Sequence, residues 1–354
     1  RVLFRSRTYR VGLLYFQETF TRELEFRLKK VGPLKDRDGI ETWIRAEHIP
    51  IHEFSIDLQC SYDLIIDRAS HYFRLGIPMF MMMAHQGTHI INNPFSFHYF
   101  INRKDVGYHI AQELGIPIPP TYVLPVYETP FFKKEDFVHH RHFEWEIIAE
   151  KIGFPCILKP ANGRGARGVK FCKDLDSLLE SYHHSGTEIM VAQTIVDSPY
   201  EWQIRCLCMG KEILISKYIF REFDQSEYLE DENFLEPDLK KLIEEYSYVI
   251  NRAMGYEMNS VEFFIDHEGI PWAIDFNNPI PDGRLEALGP HWYEKYLQAM
   301  VQMVIRFAMD PADPDFIPDV NPYSRIARLS IPKEERFQKA LEIASPYYRQ
   351  DDQS

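Results

Sequence analysis

The stretch Asn259–Arg284 constrains the fold of this chain most, because its apolar and polar residues alternate in the manner of a β-hairpin. Successive side chains of a strand point to opposite faces, so this alternation separates an apolar face from a polar one. The apolar face comprises Val261, Phe263, Ile265, Ile274 and Phe276. The polar face comprises Glu262, Asp275 and Asn277. A turn centred near Gly269 predicts that Glu262 pairs directly opposite Asp275.

Two carboxylates opposite each other destabilise a sheet unless a positive charge compensates them. The side chains of Glu262, Asp275 and Asn277 offer hard oxygen ligands. Such ligands suit Mg²⁺ shared with phosphate groups better than Zn²⁺, which prefers Cys and His. Two interpretations of the polar face stay open at this point: a metal site, or a solvent-facing hairpin with ordinary acidic residues.

Length and charge limit what the hairpin can belong to. The chain has 354 residues, of which 45% are apolar, and this is enough for two or three globular domains. Its net charge of −13 argues against a nucleic-acid partner. No apolar run approaches the roughly 18 residues of a membrane span, so no membrane partner is expected. Five cysteines without a CxxC pair, and no cleavable-signal pattern, predict a cytoplasmic location.

Strands and helices alternate in the first hundred residues, which predicts a small parallel, doubly wound α/β domain. The predicted elements are a strand over Val11–Phe16, a helix over Glu18–Lys30, and strands over Tyr62–Asp67 and near His89–Asn92. A single helix over Phe97–Leu114 follows, and a stiff Pro-rich segment leads to a strand over Thr121–Leu124.

A glycine-rich loop follows Lys159, and its residues Gly163, Gly165 and Gly168 match G-x-G-x-x-G. In a dinucleotide-binding unit this motif opens a helix, whereas here the strand-like run Val169–Cys172 comes next. The pattern therefore predicts a hairpin flap that offers backbone N–H groups and Arg164 or Arg167 to phosphates. A protein-kinase fold is disfavoured, because the chain has no HRD or DFG segment.

The rest of the chain predicts antiparallel strands followed by long helices. One strand over Glu201–Met209 places Glu201, Gln203 and Arg205 on one face and two cysteines on the apolar face. The predicted helices cover Pro237–Met254 and Gly289–Met309, with a short one over Glu334–Ile343 in a tail rich in Asp and Pro. His139, His140 and His142 are interpreted as a solvated loop rather than a metal site, since no second ligand cluster completes them.

Five segments of the chain, in this order, resemble the ATP-grasp superfamily of carboxylate-amine ligases over about residues 102–310. They are the Arg103-Lys104 helix leading to GIPIPPTYVL, the AEKIGFPCILKPANGRGARGV strand and flap, the MVAQTI hinge, the EWQIR strand, and VEFFID…AIDFNNP. The resemblance implies an α/β (α+β) fold with an N-terminal domain over 1–100 and an ATP-grasp domain over 101–310. The latter divides into a lid (121–190) and a C-terminal metal-binding lobe (191–310), and a tail covers 311–354.

The resemblance also implies a set of site residues. Nucleotide contacts are implied for Lys104, Lys159, Gly163, Arg164, Gly165, Gly168, Gln193, Thr194, Ile195 and Glu201. The hinge residues among them are implied to receive the adenine. Catalytic cations on the transferred phosphoryl group are implied at Lys159, Arg205 and Arg221. Metal ligands are implied at Glu262, Asp275 and Asn277. The chain departs from the family pattern in having Glu before Asp at the metal positions and Gln193 where the family more often has Glu.

The implied reaction uses ATP with Mg²⁺ or Mn²⁺ to activate a carboxylate as an acyl phosphate, which an amine then attacks. Small-molecule or peptide carboxylates and amines are the implied partners. Arg284, in the turn Pro281-Asp282-Gly283-Arg284, is expected to contact a substrate carboxylate, although turn chemistry explains Pro, Asp and Gly equally well. A small-molecule kinase and a non-catalytic nucleotide-binding module remain alternatives.

Overall fold

A computed structural model describes residues 6–15, 19–35, 39–124, 126–128, 144–162, 167–221, 226–310, 323, 326 and 329–348. The chain divides into two compact units. The described residues within 1–17, 21–96 and 304–354 form the first unit, and those within 18–20 and 97–303 form the second. The main boundaries between the two units, at 96/97 and 303/304, lie close to the sequence-based boundaries at 100/101 and 310/311. The sequence-based boundaries remain predictions.

The first unit is built on a mostly parallel sheet. Its strands are β1 (Ser6–Leu14), β2 (Leu34–Lys35), β3 (Glu41–His48), β4 (Leu64–Asp67) and β5 (His89–Ile91). Their order is β2-β3-β1-β4-β5, and only β2 runs antiparallel to its neighbour. Helices α1 (Thr19–Lys30) and α2 (Gly76–His85) lie between strands in sequence. The predicted α/β class is confirmed, but β3 was missed by the sequence analysis although Thr42, Ile44 and Ala46 alternate and are buried.

The predicted single helix over Phe97–Leu114 is wrong, because two helices occupy this region. Helix α3 (Pro94–Phe100) ends before Ile101, and α4 (Lys104–Glu113) begins after Arg103. Arg103 has the non-helical dihedral angles φ −141° and ψ 59°, and its guanidinium donates to the Asp105 carboxylate. The break makes Lys104 the first residue of a helix, and its backbone N–H donates to the Ala161 carbonyl at 3.0 Å.

An antiparallel sheet in the second unit, here called the lid sheet, carries the predicted flap. Its elements in chain order are β6 (Thr121–Leu124), α5 (Trp145–Ile152), β7 (Cys156–Pro160), β8 (Lys170–Cys172), α6 (Leu175–His183) and β9 (Met190–Thr194). The strand order is β6-β9-β7-β8. Strands β7 and β8 pair antiparallel, so the hairpin predicted around the glycine-rich loop is confirmed. Gly163, Arg164 and Gly165 lie outside the described residues, as do His139, His140 and His142.

A second antiparallel sheet, here called the lobe sheet, follows in sequence. Its elements are β10 (Gln203–Met209), β11 (Glu212–Ile219), β12 (Glu227–Leu229), α7 (Pro237–Met254), β13 (Met258–Ile265) and β14 (Pro271–Asn278). The strand order is β12-β11-β10-β13-β14. Helix α7 packs its apolar face on one side of this sheet, where Cys206 and Cys208 are buried as predicted. Helices α8 (Leu285–Met309), kinked at Gly289, and α9 (Lys333–Tyr348) end the chain.

Strand β14 departs from regular pairing on both sides of Asp275. Glu262 pairs opposite Asp275 as predicted, but the register shifts between Ser260 and Glu262 and again between Glu262 and Phe263. Ala273 therefore sits opposite Phe263 and is buried in the core, and Ile274 is only half-buried. The prediction that Ile274 shares the core face with Phe276 is thus wrong, because a β-bulge inserts an extra residue and breaks the two-residue period.

Within the described ranges, no helix is long and apolar enough to cross a membrane.

Candidate nucleotide and metal site

The two paired carboxylates of the hairpin each meet a cation from another part of the second unit. Lys104 Nζ lies 3.0 Å and 2.8 Å from the two carboxylate oxygens of Asp275. Arg205 Nη2 lies 3.1 Å from Glu262 Oε1. The repulsion expected between opposite carboxylates is therefore compensated by side chains in the free protein, and the solvent-facing hairpin is not what the structure shows.

Lys104 reaches Asp275 because α4 begins at that residue. Its side chain is 6% exposed, so the ammonium group is removed from water and depends on Asp275 for its counter-charge. Burial alone would raise the pKa of Asp275, but the positive charges of Lys104 and Lys159 and the hydrogen bond from Lys104 lower it to about 2. Asp275 is therefore ionised across the physiological range.

Glu262 is shared between two donors of strand β10. Its Oε1 accepts from Arg205, and its Oε2 accepts from Gln203 Nε2 at 3.1 Å. Residues two apart on β10 lie on one face, which is why both point to the same carboxylate. Burial raises the pKa of Glu262 and outweighs the opposing charge of Arg205, with Asp275 adding to the rise. A further cation at Glu262 would relieve this cost.

Asn277 supplies a third oxygen atom at the same end of β14. Its Nδ2 donates to the Phe100 carbonyl at 2.6 Å, which fixes the orientation of the amide. Its Oδ1 is buried and accepts no hydrogen bond from any residue that the structure describes. A buried acceptor without a donor is costly, and such groups often mark the place of a ligand. Two carboxylates and an orphaned amide oxygen are the donor set that Mg²⁺ prefers, so these residues fit this ion.

Histidine and cysteine take no part in this candidate metal site. Across the described part of the chain, no three or more His, Cys, Asp and Glu side chains are grouped so as to hold a metal ion. The set formed by Glu262, Asp275 and Asn277 contains two carboxylates and an amide, whereas Zn²⁺ prefers sites that include Cys or His.

Lys159 brings the lid sheet to the backbone carbonyl of Ile274, the residue before Asp275. Its Nζ donates to Gln193 Oε1 at 2.8 Å and to the Ile274 carbonyl at 3.0 Å. Gln193 is held in turn by Thr121, whose Oγ1 accepts from Gln193 Nε2 at 2.8 Å. Burial lowers the pKa of Lys159, the charge of Asp275 opposes this and that of Lys104 adds to it, and the net pKa is about 8. An anion near Nζ would stabilise the buried ammonium form and raise this pKa.

The hinge predicted to receive the adenine borders a cavity of about 260 Å³. Its lining residues are Pro119, Pro120, Thr194, Ile195, Val196, Asp197, Asp266, His267, Glu268 and Trp272. Two of the residues implied to contact the base, Thr194 and Ile195, are among them. The volume is slightly below the roughly 300–1,000 Å³ typical of small-molecule pockets, so it would take a fragment of a ligand rather than a whole nucleotide.

Other predicted residues lie outside this cluster. Glu201 is exposed and precedes β10, so the alternation that was expected to align it with Gln203 and Arg205 does not apply. Arg221 is exposed beyond the end of β11. Arg284 forms a bidentate contact with Asp282, with Nη2 2.7 Å from Oδ2. Gly168 is exposed with φ +75°, and a Cβ there would lie 2.8 Å from Pro160, so only glycine fits.

Three tyrosines next to the cations were missed by the sequence analysis. Tyr108 donates its hydroxyl to the Ile274 carbonyl at 2.9 Å, and Lys159 Nζ lies 5.0 Å from its ring centre. The guanidinium of Arg205 lies 4.7 Å from the ring centre of Tyr218 and 5.8 Å from that of Tyr228. Only the position of Tyr218 could have been inferred, because alternation on β11 places it on the same face as Ser216, opposite Arg205 in β10.

Comparison with known proteins finds relatives by sequence and by structure. Residues 127–197 match a family model described as the ATP-binding domain of the carbamoyl-phosphate synthase L chain. The chain is 33% identical over 109 residues to an uncharacterized protein of Sinorhizobium fredii, spanning 26% of this chain and 22% of that one. It is 25% identical over 235 residues to a formate-dependent phosphoribosylglycinamide formyltransferase of Bacteroides fragilis, spanning 62% of this chain and 56% of that one. The chain thus covers about half or less of these curated relatives.

Two solved structures cover nearly the whole of their own chains. An ATP-grasp RimK domain protein from Sphaerobacter thermophilus superposes with a TM-score of 0.56 at 16% identity, covering 83% of this chain and 98% of that one. A D-alanine–D-alanine ligase from Bacillus anthracis, solved in complex with ATP, superposes with a TM-score of 0.52 at 17% identity, covering 86% and 100%. The chain therefore has the ATP-grasp fold.

Proposed function

We propose that this chain is an ATP-dependent ligase that activates a carboxylate as an acyl phosphate and joins it to an amine, releasing ADP and phosphate. The observation that carries the proposal is that Lys104 binds Asp275 and Arg205 binds Glu262 within the second unit. Lys159 lies next to this cluster, where its ammonium donates to the Ile274 carbonyl. Phosphoryl transfer needs cations on the developing charge and aligned reactants rather than covalent help from the protein. The similarity to ATP-grasp ligases supports this reading of the cluster.

The charges of the free site suggest how the residues act. Asp275 and Glu262 are each paired with a cation, and Asn277 Oδ1 faces no donor among the residues described. Glu262, Asp275 and Asn277 would hold Mg²⁺, which would supply positive charge to the nucleotide phosphates. Lys104 and Arg205, no longer needed by the carboxylates, would then be available to the nucleotide phosphates. Each buried charge keeps a partner throughout this exchange, which avoids the cost of an unpaired ion.

The remaining steps of the proposed reaction follow from ordinary acyl chemistry. A substrate carboxylate oxygen attacks the terminal phosphorus, ADP leaves, and the acyl phosphate that forms is attacked by an amine, with loss of phosphate and a proton. Arg205 would stabilise the charge that develops on the transferred group, and Lys159 would hold the phosphates that remain on ADP. Arg284 is proposed as a contact for the substrate carboxylate, which requires it to leave Asp282.

The direct test is release of phosphate from Mg-ATP in the presence of amino acids, short peptides and organic acids, each with and without hydroxylamine. Hydroxylamine traps an acyl phosphate as a hydroxamate. Phosphate release with a hydroxamate for one acid would support the ligase and identify half of its substrate pair. A stable phosphorylated product without hydroxamate would show a kinase instead, and this outcome would refute the ligase.

Asp275→Asn provides the variant for this assay. The amide keeps the size of the side chain and an oxygen for Lys104 but removes the charge at the metal position, so turnover is expected to fall by about 10²–10³. Glu245→Gln is a matched control, since it removes a carboxylate from an exposed ion pair with Lys241 (3.7 Å) and should leave turnover unchanged. Full activity of Asp275→Asn would contradict the metal assignment.

A further inference from the structure

Two tyrosines of the lobe sheet enclose the guanidinium of Arg205. Tyr218 comes from β11 and Tyr228 from β12, and these residues are direct partners in the antiparallel register. Their rings meet edge to face, with centres 4.8 Å apart and planes at 60°. Both rings are buried, with 6% and 9% exposure. This tyrosine pair and Arg205 therefore form one packed group across three neighbouring strands.

The two tyrosines do not belong to the hydrophobic core cluster that the lobe sheet forms with α7. That core lies on the opposite face, between the sheet and α7, and contains Tyr256, Ile204 and Phe263 but neither Tyr218 nor Tyr228. The face that carries the two rings is the one on which Arg205 and Gln203 meet Glu262. On this face the two rings contact each other and the guanidinium of Arg205.

The two rings close one side of the guanidinium. Arg205 Nε is buried and finds no acceptor among the residues in the described ranges. An aromatic face near a guanidinium acts as a weak acceptor and attracts its positive charge, which offsets part of the cost of an unpaired N–H group. Arg205 Nη2 is bound to Glu262, and the side chain as a whole keeps 18% exposure. Its orientation is therefore fixed from one side by π faces and from another by a carboxylate.

We propose that Tyr218 and Tyr228 are positioning residues that hold Arg205 ready for the terminal phosphoryl group of ATP. This rests on the proposed function, in which Arg205 stabilises the transferred group. A guanidinium on a long flexible side chain loses rotamer freedom when it binds an anion. The rings of Tyr218 and Tyr228, here called the aromatic clamp, restrict this side chain before the ligand arrives, so binding costs less conformational entropy. Because ADP lacks the terminal group, the clamp contributes to the affinity for ATP and not to that for ADP.

The test is the ratio of ATP to ADP affinity, measured by calorimetric titration with Mg²⁺ present in every experiment. Tyr218→Leu removes the π face and is expected to lower the ratio about tenfold, within the range of a buried cation–π contact. Tyr218→Phe keeps the face and should retain the ratio of the unmodified chain. Tyr228→Leu should lower the ratio in the same direction, but less, because its ring centre is farther from the guanidinium.

Tyr256→Leu is the control for general damage to the lobe. It removes a fully buried tyrosine from the opposite face of the same sheet, so it should lower the melting temperature without changing the ATP to ADP ratio. The proposal is overturned if Tyr218→Leu keeps the ratio, or weakens ATP and ADP equally as a purely structural role would. It is also overturned if Tyr218→Phe loses as much as Tyr218→Leu. An unmodified chain that binds no ATP would instead refute the proposed function.

A second readout tests whether the effect of the Tyr218 ring depends on the charge of Arg205. In an Arg205→Gln background, which removes the clamped charge, Tyr218→Phe and Tyr218→Leu should give the same ATP to ADP ratio. A ratio that still separates these two variants without Arg205 would show that the ring acts by another route, and the positioning role would be wrong.

Discussion

Lys159 is expected to make the stability of the free protein depend on pH in an unusual direction. Burial lowers the pKa of its ammonium group from 10.5 to about 8, so the fold disfavours the charged form. Below pH 8 the folded protein must keep a buried charge that the unfolded chain holds in water. Between pH 8 and pH 10.5 the folded lysine is neutral and the unfolded one is still protonated, so the penalty disappears as the pH rises.

The size of the effect follows from the difference between the two pKa values. A shift of this size corresponds to a penalty of about 3 kcal/mol at pH 7, of which about 2 to 3 kcal/mol is relieved by pH 10. The overall stability also changes with pH through the many other ionisable groups. The comparison must therefore be made against Lys159→Met, which keeps most of the apolar volume and cannot titrate.

The assay is urea denaturation of both proteins at pH 7 and pH 10, with a chelator present to keep metal ions off the carboxylates. The difference in unfolding free energy between the unmodified chain and Lys159→Met should move by about 2 to 3 kcal/mol in favour of the unmodified chain. The charged groups whose fields act on Lys159 are Lys104, Asp275 and Glu262, and both proteins keep them.

Gln193→Glu supplies the internal control, because it places a carboxylate where an amide oxygen now lies 2.8 Å from Lys159 Nζ. An opposite charge at that distance raises a lysine pKa by about one to three units, so most of the pH-dependent difference should vanish in this background. A difference between the unmodified chain and Lys159→Met that is the same at pH 7 and pH 10 would refute the reasoning.

Three further predictions concern the binding of Mg²⁺ and the close packing at two glycines. ATP and Mg²⁺ should each bind at least about tenfold more tightly in the presence of the other, because in the proposed function Lys104 and Arg205 are released to phosphates only when Mg²⁺ takes over Asp275 and Glu262. Equal ATP affinity with a chelator would contradict this. Gly12→Ala should cost about 1–3 kcal/mol in urea denaturation, since its Cβ would lie 2.2 Å from Ile49 Cδ1, and unchanged stability would show that Ile49 can move aside. A Cβ added at Gly107 would lie 3.4 Å from Asn277 Oδ1. The branched side chain of Gly107→Val should therefore crowd this oxygen and weaken the Mg²⁺ dependence of ATP binding, and the smaller side chain of Gly107→Ser should do so much less. Calorimetry with and without Mg²⁺ checks both variants.

The parts of the site that could be predicted from sequence are those set by local periodicity. Alternation in β13 and β14 is enough to place Glu262 opposite Asp275, and this pairing is confirmed. The same rule failed at Ile274, because a bulge leaves no mark in the pattern of apolar residues. It also failed at Glu201, which precedes the strand whose alternation was extended to include it.

Contacts between distant segments could not be derived from local patterns. Lys104 and Asp275 are 171 residues apart, and their pairing depends on the break that starts α4 at Lys104. The sequence pattern predicted one continuous helix there, since Ile101, Tyr108 and Ala111 have apolar spacing that crosses the break. Recognition of the family by its ordered segments named Lys104 and Lys159, but it did not indicate which carboxylate or carbonyl each would meet.

The bulge at Ile274 leaves a backbone carbonyl for contacts outside the lobe sheet. A carbonyl released from the ladder accepts from Tyr108 of α4 and from Lys159 of the lid sheet, so three elements of the second unit meet at one backbone oxygen. In the proposed function Lys159 also binds nucleotide phosphates, and its ammonium cannot serve both acceptors equally well. Phosphate binding should therefore weaken the contact between β7 and β14, which couples the occupancy of the site to the position of the lid. Because the acceptor is a backbone atom, no side-chain substitution at Ile274 removes this coupling, and it must be probed through Lys159 or Tyr108.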